Sequence, residues 1–429
     1  AGLQQVVEYI ENLHFSEEDV EYLRSKRLFT EEFLEYLLHF RFRGDIYAMK
    51  EGTVMYPNEP VMTVVAPLID AQLIETTILL EINHQSLIAT KTNRIVQAAN
   101  GKPVSDFGAR RAHNVDAAVY GARAAYIGGA AGTATVLAGK MFHIPISGTM
   151  AHSWVMTFDS EYDAFKAYAE SYPDGTVLLV DTYDVLKSGV PNAIRTAREV
   201  LEPMGKKLIG IRLDSGDLAY LSKEARKMLD EAGLPDCMIV ASNSLDEYTI
   251  SSLNRQGAKI DSYGVGERLI TSSSTPVFGA VYKLVAIQKD GKFIPKIKIS
   301  ETAEKITNPG IKEVYRVYDE NGKAVADYLA VKGEQIRDLE PVRYVDPVNY
   351  WKNRSFVGCR FKKLQVPVFE KGKRIYDLPD IEEIRQYVKD QLENEIWEEE
   401  QRFENAHTHY LDMSPAMFEL KMSLLHEEN

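Results

Sequence analysis

Residues 206–221 read "KKLIGIRLDSGDLAYL", and this stretch decides the fold. A short apolar run, residues 208–211, ends abruptly in Arg212, Asp214 and Asp217 around a Ser-Gly turn. A solvent loop tolerates such charges, whereas a ligand with hydroxyl and phosphate groups uses all of them. Because binding side chains follow the C-terminal ends of parallel strands in α/β proteins, we interpret this stretch as a buried strand that leads into a binding site.

The same pattern recurs along the middle of the chain. Short apolar, β-branched runs occur at 142–148 ("FHIPISG"), 176–181 ("TVLLVD"), 237–243 ("CMIVASN") and 260–266 ("IDSYGVG"). Helical patterns separate them, and successive strands begin about 25–35 residues apart, the size of a βαβ step. We therefore predict an α/β barrel of parallel strands, complete or incomplete. An open doubly wound sheet, which also gathers strand ends on one edge, is the alternative.

Helices and antiparallel strands are predicted on both sides of this region. The first forty residues have apolar positions at helical spacing, and Ser16 is expected to cap a helix. A long helix is predicted to open at Asp70 and to end at Asn100-Gly101. After residue 280 the pattern is that of strands, with hairpin turns at Asp290-Gly291 and Asn321-Gly322. The chain then continues into an acidic amphipathic helix.

The composition argues against several classes of protein. The chain has 429 residues and a formal net charge of −13, which disfavours a nucleic-acid binder because the phosphate backbone rewards lysine and arginine. Cys237 and Cys359 make neither a disulfide framework nor a CxxC zinc pair; they fit structural thiols in a reducing cytoplasm. No stretch approaches the ~20 apolar residues of a membrane span. The motifs of P-loop kinases, dinucleotide dehydrogenases and HExxH zinc proteases are missing.

His152, in "GTMAHSW" (148–154), is the candidate base or nucleophile. It follows one predicted strand and Asp181 ends the next, so the carboxylate is expected beside the imidazole, where it raises the basicity of the ring. A structural core histidine is the alternative. Arg212 and Asp214 are expected to bracket a ribosyl group, with the arginine at a phosphate and the acid at hydroxyls or developing positive charge. Asp217 is equally expected to cap the next helix.

Two further stretches carry candidate binding residues. "YGVGERLITSSS" (263–274) combines Gly264 and Gly266 with hydroxyls, and small residues let backbone N–H groups approach a phosphate. A plain βα turn is the alternative. "DFGARRAH" (106–113) places Phe107 before Arg110 and Arg111, a set that suits a flat anionic ring by stacking and charge. A solvated basic face is the alternative for the arginines.

In combination, these motifs resemble the nicotinate phosphoribosyltransferase family. "DFGARRAH", "GTMAHSW", "IRLDSGDL" (211–218), "ASNSLDEY" (241–248) and "YGVGERLITS" (263–272) occur in the family's order, and "KISETAEKITNPG" (298–310), with Lys296 before it, fits as well. The resemblance covers nearly the whole chain. It implies that nicotinate and phosphoribosyl pyrophosphate give nicotinate mononucleotide and pyrophosphate, which feeds NAD salvage. It also implies a cytoplasmic homodimer with shared active sites.

The resemblance implies a role for each candidate residue. His152 matches a histidine that ATP phosphorylates, and Asp181 matches its partner carboxylate; Arg212 and Asp214 complete the catalytic set. ATP is then a co-substrate, and Mg²⁺ is expected to be held mainly by the diphosphate rather than by protein side chains. Phe107 matches the residue that stacks on the pyridine ring. The substrate-binding positions are Phe107, Arg110, Arg111, Thr149, Ser242, Asn243, Gly264, Gly266 and Glu267.

The resemblance also implies a domain division and leaves alternatives. We expect a catalytic barrel over residues 101–283 and a second, α+β domain built from residues 1–100 and 284–429. The family begins with an Asp-x-Tyr-Gln type motif, and none precedes Ala1, so that portion is either lost or not included. The alternatives are a quinolinate transferase, a nicotinamide transferase or a catalytically idle binding protein. The nicotinamide enzymes carry an acid where this chain has Ala134.

Overall fold

The chain folds into two compact units in a computed structural model that describes residues 1–301 and 306–427. The barrel unit is His84–Phe278, and the flanking unit combines Ala1–Asn83 with Gly279–Asn429. The sequence had placed the corresponding boundaries at residues 100 and 283. None of the described helices combines the length and the hydropathy of a membrane span.

Both units contain helices and strands. In chain order, the helices are α1 (Leu3–Asn12), α2 (Glu17–Ser25), α3 (Glu31–Leu38), α4 (Leu68–Leu73), α5 (Glu75–Ala98), α6 (Val115–Ile127), α7 (Val136–Phe142), α8 (His152–Met156), α9 (Glu161–Ser171), α10 (Val190–Thr196), α11 (Leu218–Glu231), α12 (Glu247–Arg255), α13 (Glu267–Ile270), α14 (Ile381–Asp390), α15 (Glu398–Gln401) and α16 (Pro415–Glu427). The strands are β1 (Asp45–Met49), β2 (Met62–Val65), β3 (Val104–Asp106), β4 (Gly132–Thr133), β5 (Val177–Leu179), β6 (Gly210–Leu213), β7 (Met238–Ala241), β8 (Ser262–Val265), β9 (Ala286–Lys289), β10 (Lys292–Pro295), β11 (Lys312–Tyr318), β12 (Ala324–Val331), β13 (Val342–Val345), β14 (Asn353–Phe356), β15 (Arg360–Lys363), β16 (Gln365–Glu370), β17 (Lys373–Arg374) and β18 (Leu411–Met413).

The barrel unit contains a parallel sheet in the order β4-β3-β8-β7-β6-β5. Its first strand, β3, pairs with its last, β8, and a single bridge between Thr133 and Ile146 extends the sheet beyond β4. Neighbours thus follow chain order around a ring, which is the order of a barrel and not that of a doubly wound sheet. Within the described residues no strand pairing joins Ile146 to β5. The predicted incomplete α/β barrel is confirmed.

Apolar strands covered by amphipathic helices hold this unit together. Leu178, Ile211 and Ile239 are partners across β5, β6 and β7, and all three are fully buried. Fully burying such a side chain contributes roughly 1.5–3 kcal/mol, so the centre of the sheet resists opening. Helix α11 buries a stripe at helical spacing, which includes Leu218, Ala225 and Leu229.

The sequence missed parts of the barrel. The predicted strand at 142–148 is reduced to one bridge at Ile146, and the stretch is otherwise helix end and loop. Strands β3 and β4 were not predicted. Each has three residues or fewer, so neither carries an alternating pattern long enough to recognise.

The flanking unit begins with the predicted helices. Ser16 caps α2 in a capping box with Asp19, as its sequence predicted. The long helix differs from its prediction: α4 begins at Leu68 after Pro67, and α5 follows it. Asp70 does not open the helix. It is buried and accepts hydrogen bonds from Arg43, so its carboxylate anchors the chain.

Mainly antiparallel sheets complete the flanking unit; the pair β12-β18 is parallel. One sheet has the order β17-β16-β1-β2, and a larger one has the order β14-β13-β18-β12-β11-β15. The predicted hairpin turn at Asp290-Gly291 joins β9 to β10, and both turn residues have positive φ. The predicted hairpin at Asn321-Gly322 joins β11 to β12. Residues 302–305 of "KISETAEKITNPG" lie outside the described residues.

Close packing rather than backbone freedom explains one glycine of the barrel unit. Gly189 has a helical φ of −59°, which any residue adopts, but a Cβ built there lies 1.8 Å from the carbonyl oxygen of Val180. We expect Gly189→Ala to lower the stability of the barrel by about 1–3 kcal/mol through overpacking, measured as a lower melting temperature. Gly175→Ala, whose Cβ meets nothing within 4 Å, is the matched control. Equal melting temperatures for the two variants would contradict this account.

Candidate active site

His152 and Asp181 meet at the carboxyl ends of the strands, as the sequence predicted. The Nε2 atom of His152 lies 3.1 Å from Oδ1 of Asp181. The Asp181 side chain is 1% exposed, whereas that of His152 is 39% exposed. A buried carboxylate therefore orients an imidazole that solvent reaches, which is the arrangement of an oriented base or nucleophile.

The second oxygen of Asp181 ties the histidine to the neighbouring strand. Oδ2 accepts the backbone N–H of Asp214 at 3.0 Å and the hydroxyl of Ser215 at 2.6 Å. A buried carboxylate requires such donors because its desolvation is otherwise costly. Asp181 thus joins the end of β5 to the turn after β6. Ser215 stood inside a quoted motif, but no role was predicted for it.

Arg212 is the centre of a second network, which joins three chain segments. Its guanidinium donates to Thr149 Oγ1 at 2.8 Å, to Ser242 Oγ at 2.9 Å and to Asp214 Oδ1 at 3.0 Å. The hydroxyl of Ser242 also donates to Asp214 Oδ1. A planar guanidinium with three partners has a fixed orientation. The predicted residues Arg212, Asp214, Thr149 and Ser242 therefore form one constellation.

Phe107 is placed beside this constellation by a glycine on the adjacent strand. A Cβ at Gly264 lies 2.4 Å from two ring atoms of Phe107, so only glycine leaves room for the ring. The Arg212 guanidinium carbon is 5.3 Å from the ring centroid, within cation–π range. The backbone N–H of Phe107 donates to Val265 at 2.8 Å and continues the pairing of β3 with β8. An aromatic ring and a cation thus share one edge of the site.

Asp106 is a residue that sequence reasoning missed. Its carboxylate is buried and accepts the N–H of Gly108 and the hydroxyl of Thr133, both at 2.8 Å. Burial raises the pKa of Asp106 above its ordinary value, against the effect of these two donors. The bonds fix the turn that presents Phe107. An acid at a strand end directly before an aromatic residue was the available signal.

The predicted arginines after β3 make fewer contacts with other side chains than the residues described above. Arg110 and Arg111 lie in a short 3-10 turn (Ala109–Arg111) and are exposed. Arg111 Nε is 3.6 Å from Glu267 Oε2, and both side chains are more than half exposed. Such a pair contributes little stability. These arginines remain accessible to an anionic ligand.

Backbone conformation distinguishes the turns after β7 and β8. Asn243 and Ser244 have φ values of 92° and 51°, in the left-handed region. Gly266 precedes α13 and its carbonyl packs against Gly108, where a Cβ would lie 2.9 Å away. Asp217 has the structural role that was one of its two interpretations, because it caps α11 by accepting the N–H of Tyr220 at 3.0 Å.

Comparison with known proteins identifies the family. Three family models match: the nicotinate phosphoribosyltransferase N-terminal domain over residues 1–83, the nicotinate phosphoribosyltransferase family over residues 103–322 and the C-terminal domain over residues 311–421. The chain belongs to the nicotinate phosphoribosyltransferase family. It is 49% identical over 428 residues to the nicotinate phosphoribosyltransferase of Bacillus subtilis, a match that covers 100% of this chain and 86% of the relative.

Other relatives and solved structures are similar to this chain in sequence and in fold. A Mycobacterium tuberculosis nicotinate phosphoribosyltransferase is 42% identical over 394 residues, 92% of this chain and 78% of that protein. The crystal structure of human nicotinic acid phosphoribosyltransferase superposes with a TM-score of 0.88 at 26% identity, over 99% of this chain and 91% of that one. A nicotinate-nucleotide pyrophosphorylase from Pyrococcus furiosus has a TM-score of 0.64 at 30% identity, over 85% and 84%. The resemblance predicted from the motifs is confirmed.

The geometry of Asp181 predicts the effect of removing its charge. In Asp181→Asn, the amide oxygen keeps accepting from Asp214 N–H and Ser215 Oγ. The NH₂ group therefore faces His152, and Nε2 of the histidine must accept its hydrogen bond. The ring then carries its proton on the other nitrogen, which abolishes nucleophilicity there. We expect the ATP-stimulated part of nicotinate turnover in this transferase to fall about 10³-fold or more, as for other reversed tautomers. Steady-state kinetics measure the effect.

The control for this prediction is Asp184→Asn. Asp184 accepts the backbone N–H groups of Leu186 and Lys187 at 3.1 and 2.9 Å. Asparagine caps these groups equally well. Its turnover should match the unmodified protein. Full turnover in Asp181→Asn would refute the role of the carboxylate.

Proposed function

We propose that this protein transfers a phosphoribosyl group from phosphoribosyl pyrophosphate to nicotinate, giving nicotinate mononucleotide and pyrophosphate for NAD salvage. One observation carries the proposal: the Arg212 network with Thr149, Asp214 and Ser242 lies beside the Phe107 ring at the barrel's carboxyl face. A site with an aromatic face, a fixed cation and a carboxylate suits an aromatic acid next to a phosphorylated sugar.

The chemical step requires charge to be stabilised at two places. Breaking the bond from the anomeric carbon to pyrophosphate builds positive charge on the ribose ring and negative charge on the leaving group. Asp214 provides the anionic group at the ribose, and Arg212 provides a cation for the phosphates. The nicotinate nitrogen supplies the electron pair that forms the new bond to carbon. No proton has to be removed from it, so the site needs no general base for this step.

Ring and phosphate binding are assigned to the remaining residues. Phe107 stacks on the pyridine ring, and Arg110 and Arg111 pair with its carboxylate. The 5′-phosphate is bound at the turns after β7 and β8, mainly by backbone groups. These turns contain Ser242, Asn243, Gly266 and Glu267, and Gly264 lies in β8 just before the second turn.

ATP enters the proposal through His152. Because Nε2 of His152 faces Asp181, its Nδ1 is the atom that attacks the γ-phosphorus. The bond from the γ-phosphorus to the β-phosphate oxygen breaks and ADP leaves; water later displaces the phosphoryl group, so the net change is ATP hydrolysis. The added negative charge lies next to the turn of Asp214, which places it where the diphosphate complex is bound.

Magnesium and a second subunit complete the proposal. In the described residues no group of three His, Cys, Asp or Glu side chains is arranged to hold a metal ion. We propose that Mg²⁺ arrives with the diphosphate and is held mainly by its oxygens, because Mg²⁺ in proteins is usually bound through substrate phosphates with one or two carboxylates. We further propose a cytoplasmic homodimer, on the basis of the family alone.

The acceptor ring distinguishes the main alternatives. Ala134 follows β4 and is exposed. Its backbone N–H donates to the carbonyl oxygen of Asp106 at 2.9 Å, so Ala134 lies next to the residue that directly precedes Phe107. An acid there accepts a hydrogen bond from a neutral amide but repels a carboxylate. We expect turnover with nicotinate, and none with nicotinamide or quinolinate, when each is offered separately with and without ATP.

The substitution Ala134→Asp tests the same selection. Its turnover with nicotinate should fall about tenfold or more because two carboxylates are then brought together. A melting temperature equal to that of the unmodified protein controls for folding. Unchanged nicotinate kinetics would contradict the selection argument. If the unmodified protein binds nicotinate but forms no product, the alternative of a catalytically idle binding protein is favoured.

A labelling experiment tests the phosphohistidine. Incubation with ATP labelled at the γ-phosphate should give an acid-labile label on the protein, because phosphoramidates hydrolyse in acid. His152→Ala should lose the label. His143→Ala is the matched control, since His143 is an exposed histidine in the loop before Ile146. A label that persists in His152→Ala would exclude this histidine.

A further inference from the structure

The turns that follow β7 and β8 are joined by an ion pair outside the residues assigned above. Arg268, in α13, donates through Nη1 to Oδ2 of Asp246, which lies directly before α12. The side chain of Asp246 is 11% exposed and that of Arg268 40%. The pair thus bridges the two turns at which we place the 5′-phosphate.

The first of these turns needs such support. Asn243 and Ser244 are consecutive non-glycine residues with positive φ, a backbone state that persists only where the surrounding structure holds it. Strained segments of this kind occur preferentially at ligand-binding sites. Relaxation of either residue turns its N–H away from its present direction.

Asp246 holds the end of the turn in two ways at once. Its Oδ1 accepts the N–H of Thr249 at 2.8 Å and caps α12, while Oδ2 is left for Arg268. Burial alone would raise the pKa of Asp246, but hydrogen bonds from Thr249 and Arg268 keep it below its usual value. The carboxylate is therefore charged at neutral pH, as an ion pair requires.

A buried ion pair at Glu247, the residue after Asp246, supports the same turn. Lys91 Nζ lies 2.7 Å from Glu247 Oε2, with both side chains nearly inaccessible, and it also donates to Ser274 at 3.0 Å. Ser274 follows α13. Both acids at the start of α12 are thus linked to the segment after β8. Asp246 pairs directly with Arg268, and Glu247 pairs with Lys91, which also donates to Ser274.

We infer that Asp246 and Arg268 are positioning residues that hold the turns after β7 and β8 in register for the 5′-phosphate of the sugar substrate. This inference rests on the proposed function. Neither residue needs to touch the phosphate. The ion pair fixes the distance between two sets of backbone N–H groups, and a phosphate bound by both sets is sensitive to that distance.

Asparagine at position 246 tests the pair without removing the helix cap. Its oxygen still accepts from Thr249, whereas its NH₂ group faces Arg268 and ends the attraction. We expect Asp246→Asn to raise the KM and the Kd for phosphoribosyl pyrophosphate about tenfold, which is about 1.4 kcal/mol. The KM for nicotinate should stay unchanged, and kcat should change by less than about threefold. Kinetics and calorimetric titration with phosphoribosyl pyrophosphate provide these values.

The double variant shows whether the two residues act together. Arg268→Gln should have an effect similar to that of Asp246→Asn, and the combination should be no worse than the larger single effect, because both remove one interaction. Lys207→Gln is the matched control, since Lys207 pairs with Asp236 at 3.3 Å at the opposite, amino ends of β6 and β7. It should leave both constants unchanged.

Distinct results overturn the inference. A large loss in Arg268→Gln with normal affinity in Asp246→Asn would show that Arg268 binds the phosphate itself. A lower melting temperature with unchanged affinity in both variants would show a purely structural pair. Failure of the unmodified protein to turn over nicotinate would refute the proposed function instead, while titration with phosphoribosyl pyrophosphate still decides the inference. Absence of binding by the unmodified protein would overturn both.

Discussion

The site depends on the three hydrogen bonds of the Arg212 guanidinium. They reach Asp214 and Ser242, which follow β6 and β7, and Thr149, which follows the bridge at Ile146. Because the guanidinium is planar and rigid, it sets the distances among these groups as well as their orientation. Parallel strands bring such distant segments to one face, since their carboxyl ends coincide. The apolar run before Arg212 is thus required by the chemistry that follows it.

Asp181 connects this network to the histidine. One carboxylate oxygen faces His152, and the other accepts from the backbone of Asp214 and from Ser215. A change of charge on the imidazole therefore acts on a carboxylate that also holds the turn of Asp214 and Ser215. This shared acceptor is a direct physical route between the proposed phosphoryl-transfer step at the histidine and the geometry of Asp214. The coupling needs no movement of the barrel, because only one side chain separates the two groups.

The sequence predicted which side chains converge better than it predicted the strands of the sheet. Residues at the ends of long apolar runs, such as Asp181 and Arg212, were predictable because a strand end limits where a side chain lies. Strands β3 and β4 were not, because two or three residues show no periodicity. Gly264 was expected at a phosphate, whereas its missing Cβ makes room for Phe107. A glycine indicates close approach, but the sequence does not say which neighbour approaches.

The flanking unit shows why burial alone does not identify a site. Arg316 pairs with Asp327 at 2.9 and 2.8 Å, with side chains 1% and 0% exposed, and His409 lies between Asp327 and Glu400. This cluster is more deeply buried than that of Arg212, yet a substrate cannot reach it. The side chains of Arg212 and Asp214 remain 17% and 26% exposed. A candidate catalytic cluster needs charged groups that are fixed by the fold and still open to solvent. Solvent access, together with the convergence of strand ends, therefore distinguishes the candidate cluster from the structural one.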